Sequence, residues 1–334
     1  MARNNRIFYA CQAVIIVQSG TAPVAGGLCK GLQSVGMSST FTLDQVFEMG
    51  QIEIYENIED VADIEVTLEK VLDGEKMLFA LCSNDLCKTD LVAASKNRVD
   101  AYLGIFDDGL SHATGIPRNI CWNSGMFTSS VSYSYSTDGS ATESVTLVGN
   151  DRFWNDIANY TGTTADTQWA TELTGLFDGT DIPKSGVARR VNVDLDNSTL
   201  PGITKSQGDP DTAAGIGGGF HMQSISVSTD MAQENIMELG RFGPYTRYAT
   251  FPIEVTCEIE VMSTSGDLQS VSGNGTNLGN EQIIIKDTVG TVLNLGTANK
   301  LTGVSYSGGD TGGGNSTVSY SYSNYNVLLV DGGS

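Results

Sequence analysis

Two stretches of the chain alternate apolar and polar residues with a period of two. In Ile64-Glu65-Val66-Thr67-Leu68-Glu69 the even positions are apolar and the odd ones polar, and Ile253-Glu254-Val255-Thr256-Cys257-Glu258-Ile259-Glu260-Val261 keeps the same alternation. Successive side chains of a strand point to opposite faces, so this pattern predicts strands with one buried and one wet side. The wet side carries Glu65, Thr67 and Glu69 in the first stretch, and Glu254, Thr256, Glu258 and Glu260 in the second. Residues 33–41 also alternate, and residues 98–106 and 282–285 read as further strands. Residues 128–134, the turn Asp138-Gly139 and residues 143–148 predict a hairpin; residues 302–307, the Gly-rich 308–314 and residues 318–322 predict another. Helical signals are short. Thr42 and Gln45 have capping-box spacing, Val46, Phe47 and Met49 cluster on one side, and Gly50 offers a left-handed stop. Asp230, Gln233 and Gly240 repeat that arrangement, so each place predicts a short helix. Residues 72–82 and 90–97 predict two more.

The chain matches itself. Gln33-Ser34-Val35-Gly36-Met37-Ser38-Ser39 returns as Gln223-Ser224-Ile225-Ser226-Val227-Ser228-Thr229, and Asp44-Gln45-Val46-Phe47-Glu48-Met49-Gly50 returns as Glu234-Asn235-Ile236-Met237-Glu238-Leu239-Gly240, both at an offset of 190. Glu65-Val66-Thr67-Leu68-Glu69 returns as Glu254-Val255-Thr256-Cys257-Glu258 at 189, which sets Cys257 against Leu68 as a core residue. The two predicted hairpins form a fourth, looser match. The expected organisation is mainly β: one module over 1–150, a linker or insertion over 151–200, and a second module over 201–334.

Charge narrows the function. The 334 residues hold 18 Lys+Arg against 39 Asp+Glu, a formal net charge of −21. A general nucleic-acid binder needs a basic face to displace counterions, so that class is nearly excluded. Apolar residues make up 40% of the chain, enough for a real core. No run approaches the ~20 apolar residues of a membrane-spanning helix. Arg3 and Arg6 before an apolar stretch resemble a signal peptide, but Gln12 interrupts the run and Ser19-Gly20-Thr21 reads as a turn after a strand. Cys11, Cys29, Cys82, Cys87, Cys121 and Cys257 show no repeating spacing and read as buried free thiols made in a reducing cytoplasm.

Catalytic chemistry finds no foothold. His112 and His221 lack partners at metal spacing, and no HExxH, GxSxG, phosphate-loop or EF-hand pattern occurs. Asp107-Asp108-Gly109 reads as a turn, Asp194-Leu195-Asp196 as a solvated strand end, and Gly215-Ile216-Gly217-Gly218-Gly219 as a loop. Trp122, Trp154 and Trp169 read as partly buried core residues. The expectation is a protein that is not an enzyme, with no catalytic residues, no cofactor and no metal.

The run 47–60 with 64–74, and the run Glu238-Leu239-Gly240-Arg241-Phe242-Gly243-Pro244-Tyr245 with Phe251-Pro252-Ile253-Glu254-Val255-Thr256, resemble the tail tube proteins of tailed bacteriophages. The resemblance implies β-sandwich or barrel modules, each with a short helix, six of which close into a ring around a continuous inner barrel. Two modules per chain imply a homotrimer with pseudo-sixfold symmetry; one module per chain implies a homohexamer. Rings stack into a tube in the virion tail, built in the host cytoplasm without a membrane and alongside other tail proteins. Double-stranded DNA then passes without specific binding during ejection, and Glu65, Thr67, Glu69, Glu254, Thr256, Glu258 and Glu260 are the candidate lumen lining. Period two alone does not choose the side, and the alternative is the solvated outside of a sandwich. Other functional readings are a decoration, tail-terminator or adhesin protein, and a secreted β-rich enzyme or carbohydrate binder.

Overall fold

A computed structural model of the chain describes residues 6–21, 25–83, 88–107, 117–156, 186–196, 221–263, 278–309 and 314–332. The first half holds β1 (Gln12–Gln18), β2 (Leu32–Thr40), β3 (Leu43–Phe47), β4 (Ile54–Glu59), β5 (Asp63–Val71), α1 (Leu78–Cys82), β6 (Lys88–Asp90), α2 (Leu91–Ala94), β7 (Arg98–Ile105), β8 (Asn119–Ser136), β9 (Thr142–Gly149) and β10 (Asp151–Asp156). The second holds β11 (Val193–Asp196), β12 (His221–Asp230), β13 (Gln233–Ile236), β14 (Thr246–Ala249), β15 (Glu254–Met262), β16 (Ile284–Asp287), β17 (Val292–Asn294), β18 (Lys300–Ser307), β19 (Thr317–Tyr325) and β20 (Leu329–Asp331). The fold is mainly β, as the alternation predicts.

One large sheet runs β18-β19-β15-β12-β8-β9-β5-β2, with β7 and β10 branching from β8 and β1 pairing with β7. β8 is 18 residues long and serves two groups of neighbours. Its first half pairs with β7 and β10, its second with β9 and β12. Between them Gly125 sits at φ +64°, a conformation that residues with a Cβ rarely adopt, and Asp100 Oδ1 accepts from its N–H at 2.8 Å. A second sheet, β11-β16-β17-β20-β6, joins strands from both halves. Leu195, Ile285, Leu293 and Val330 from it enter the same core cluster as Leu68, Val145, Val227 and Ile259 from the large sheet. The two sheets are therefore layers over one core.

The pairing pattern β2-β5-β9-β8 recurs as β12-β15-β19-β18. Bulges set the register. Gln33 is skipped opposite Glu69 and Lys70, and Gln223 is skipped opposite Glu260 and Val261. Gln33 and Gln223 are 190 apart, as in the sequence match, but their partners are 191 apart. The third self-match at 189 is thus two residues out: Leu68 lies in the register position of Ile259, and Cys257 in that of Val66. A period-two pattern matches itself at any even slip without changing face, so sequence comparison alone could not detect the shift.

The helices predicted at 42–50 and 230–239 are strands, β3 and β13. Each pairs in a two-stranded ribbon, β3 with β4 and β13 with β14. A helix of two turns is below the length that propagates alone, and here no core face covers it, whereas a neighbouring strand satisfies its backbone directly. Gly50 and Gly240 do adopt positive φ, +94° and +86°, but in turns beyond those strands. The expectation of a short helix in each module also fails among the described residues: α1 and α2, at the places predicted within 72–82 and 90–97, both lie in the first half. The strand expected at 282–285 begins two residues later, as β16.

α1 explains a buried charge cluster that the pattern did not announce. Lys70 continues the apolar face of β5 and is fully buried, directly opposite Glu143 of β9. Glu143 accepts from the backbone N–H groups of Leu78 (2.6 Å) and Phe79 (3.0 Å), the orphan donors at the start of α1, and from the Tyr133 hydroxyl (3.0 Å). Lys70 Nζ reaches Asp73 Oδ1 at 3.0 Å and the carbonyl of Lys76 at 2.8 Å. The second half has Val261 and Val318 in the matching register positions, opposite each other, and no helix among its described residues to satisfy.

Candidate functional site

All seven candidate lining residues share one face of the large sheet. Glu65, Glu254 and Glu258 are exposed, and Thr67, Glu69, Thr256 and Glu260 are half-buried. The intervening Val66, Leu68, Val255, Cys257 and Ile259 are buried on the other side. The sheet brings hydroxyl side chains to both flanks of each acidic strand. Ser34, Gly36 and Ser38 of β2 lie opposite Glu69, Thr67 and Glu65, while Ser144 and Thr146 of β9 lie opposite Glu69 and Thr67. Around β15, Ser224, Ser226 and Ser228 of β12 face Glu260, Glu258 and Thr256, with Ser319, Ser321 and Ser323 of β19 on the other flank. Ser224 Oγ donates to Glu260 (3.2 Å), Ser34 Oγ to Glu69 (3.4 Å), and the hydroxyls of Ser228 and Thr256 are 2.8 Å apart.

Sequence reading missed the middle of this face. Ser130, Ser132, Ser134 and Ser136 of β8 continue it between the two halves, and Asp230 of β12, opposite Ser130, adds an exposed carboxylate. Their own alternation was the available signal. β5 and β15 are four strand spacings apart along the sheet, about 19 Å, so the carboxylates form two separate stripes on a hydroxyl field. Among the described residues Lys300 approaches it and is engaged, donating to the carbonyl of Leu278 (2.6 Å). Arg152 donates to Asn123 Oδ1 (2.6 Å), Ser39 Oγ (2.7 Å) and the carbonyl of Glu65 (3.2 Å), and reaches the opposite face, since Ser39 lies opposite the buried Ile64. Chemically the face is wet, short in side-chain length and anionic. Among the described residues of the eight strands, Lys300 at the start of β18 is the one cationic side chain on this face, and it is already engaged, so the face offers no cluster of cations to hold phosphate.

A second exposed feature is apolar. In the β3·β4 ribbon Met49 and Ile52 are fully exposed at the tip, and in the β13·β14 ribbon Leu239 is fully exposed and Phe242 mostly so. These two arms sit at matching places in the pairing pattern. Arg247 anchors the second arm to the first half, its Nη2 lying 3.1 Å from both Asp63 Oδ1 and Asn150 Oδ1.

The remaining candidates are scattered. Cys11, Cys29, Cys82, Cys121 and Cys257 are free and buried, and burial pushes the Cys29 and Cys257 thiols up to about 12 and Cys121 up to about 11. Such thiols stay protonated and inert. Cys87, His112, Trp169 and residues 215–219 lie outside the described residues, as does most of the segment between the halves. Trp122 is half-buried, stacked 6.0 Å from Tyr102, but Trp154 is 55% exposed, contrary to the expected burial. Among the described residues, no group of three or more His, Cys, Asp or Glu is placed to hold a metal, and no helix is long and apolar enough to cross a membrane. No family model matches the chain, and no curated protein matches it.

Proposed function

We propose that the chain is the subunit of a phage tail tube, built of two tandem modules, three copies of which close into a pseudo-sixfold ring whose acidic lumen conducts the genome. The observation that carries this reading is the single wet face of eight consecutive strands, made of hydroxyls and carboxylates and repeated in pattern across the two halves. A duplex carries one phosphate charge per roughly 1.7 Å, so a wall of like charge with no phosphate site lets it slide. Three chains contribute twenty-four such strands. At a strand spacing of about 4.8 Å and a tilt of up to about 45°, they close a cylinder of about 37 to 52 Å across, wider than a duplex with room for side chains.

Stacking rings into a tube needs apolar surface beyond the ring-forming strands, and the two arms supply it. The double variant Ile52→Glu/Leu239→Glu is expected to leave rings intact while shortening or abolishing filaments, read by negative-stain imaging. Filaments of unchanged length would remove the arms from stacking. The parent protein tests the whole reading: purified chain is expected to form hollow filaments of stacked rings. Discrete monomers or trimers that never stack would instead favour a decoration, terminator or adhesin role.

A further inference from the structure

The structure assigns the free edge of β2 to a second copy of this chain, whose β18 pairs with it antiparallel in the register that β12 and β8 use within one chain. This rests on the proposed side-by-side joining of modules and not on what the ring conducts.

Among the described residues, the large sheet ends on β2 at one side and β18 at the other, and each pairs on one flank only, with β5 and β19. Natural sheets protect such edges with charge, proline or a cover. Here the nine residues of β2, Leu32–Thr40, include neither a charge nor a proline, and β18 carries only Lys300 at its start.

The pairing pattern says what these edges fit. β12 occupies in the second half the place of β2 in the first, and β8 the place of β18. Bulges confirm the alignment: Ser129 is skipped in β8 and Thr302 in β18, and the residues that follow read Val131-Ser132-Tyr133-Ser134 and Val304-Ser305-Tyr306-Ser307. Within one chain these counterparts already meet, Val227 opposite Tyr133 and Ser228 opposite Ser132. Carried to the free edges, that register sets Met37 opposite Tyr306 and Ser38 opposite Ser305 of the next copy.

Burial agrees. Tyr133 is 1% exposed at the internal junction, while its counterpart Tyr306 is 48% exposed. Val227 and Val131 are buried, whereas their counterparts Met37 and Val304 are half-buried. The internal junction holds a cavity of about 240 Å³ between His221–Ile225 and the end of β8 at Tyr135, Ser136 and Thr137. Beside the matching residues 31–35 lies a groove of about 550 Å³, bounded on its other side by residues 9–14 and 28–30. The register carries the chain just past Tyr306 and Ser307 of the next copy toward this groove, as Tyr135 to Thr137 line the internal cavity. Because the contact is head-to-tail, each added copy presents a new β2 edge until rotation closes the ring.

Paired cysteines test the register. Directly opposed residues of an antiparallel pair lie about 4.5–5.5 Å apart at Cα, within disulfide reach. Under mild oxidation Ser38→Cys/Ser305→Cys is expected to give covalent oligomers, with at least tenfold less product from Ser34→Cys/Ser305→Cys, which this register leaves four residues, about 14 Å, out of step. Ser132→Cys/Ser228→Cys, the same pair within one chain, should close inside the monomer and calibrates the geometry. Amide exchange on the unsubstituted protein reads the same contact: residues 32–40 and 300–307 should slow on assembly. Equal cross-linking by the out-of-step pair overturns the assignment, as does an assembled protein in which neither edge slows. Cross-linked rings that do not stack leave this contact standing and remove the tube reading; stacked hollow rings without the cross-link do the reverse.

Discussion

Replacing Glu65, Glu69, Glu254, Glu258 and Glu260 together by Lys is expected, under the proposed tube function, to turn an inert wall into one that grips duplex DNA. The exchange moves the formal chain charge from −21 to −11, and all of that change falls on one sheet face. The parent tube should retain no duplex at low salt. In the variant, each lysine that meets a phosphate releases counterions, so retention should fall steeply with salt, with a log–log slope of about −0.9 per contact. Genome ejection should slow by about tenfold or more, since several such contacts must break at every step. Screening limits the reach to a Debye length of about 8 Å at physiological salt, so the result depends on these side chains projecting into the bore. Assembly should be unaffected, because none of the five lies on the buried face. Unchanged ejection by properly assembled tubes would place these carboxylates on the outside of the wall.

Glu143→Ala is expected to be among the most damaging single substitutions in the chain, costing about 3–5 kcal/mol, the range for removing one member of a buried charged network. It strips the acceptor from the N–H groups of Leu78 and Phe79 and from the Tyr133 hydroxyl, and leaves Lys70 buried with less compensating charge. Urea denaturation should show a lowered midpoint, and Glu143→Gln, which keeps the shape and one acceptor oxygen, should recover part of the loss. The same group predicts a pH dependence. Burial holds the Glu143 carboxyl above its usual 4.5, opposed by the two N–H donors, Lys70 and Tyr133. The folded state therefore holds this proton more tightly than the unfolded one. The resulting stability is complete below the usual value and is lost as pH rises through the raised one. Glu143→Gln should flatten that arm of the pH–stability curve; an unchanged arm would show that another group titrates there.

Local pattern alone determined much of this protein. The alternation in 64–69 and 253–261 is a property of neighbouring residues, and it correctly divided Glu65, Glu69, Glu254, Glu258 and Glu260 from the core side chains between them. The self-match, the two closing hairpins and the short helices near 78 and 91 were likewise visible, because turn chemistry and periodicity act over a few residues. Tertiary structure decided whatever depended on a distant partner. Residues 42–50 and 230–239 carry acceptable helix signals, yet a strand arriving from 54–59 or 246–249 satisfies their backbone better. The true offset between β5 and β15 needed the bulges at Gln33 and Gln223, because an alternating pattern looks the same at every even slip. Lys70 lies on the buried side of its strand, and only the approach of Glu143 and Asp73 shows how its charge is accommodated. The order of strands across the sheet, which puts β2 and β18 at its two ends among the described residues, follows from which edges meet in space, and that is not written in the order of residues.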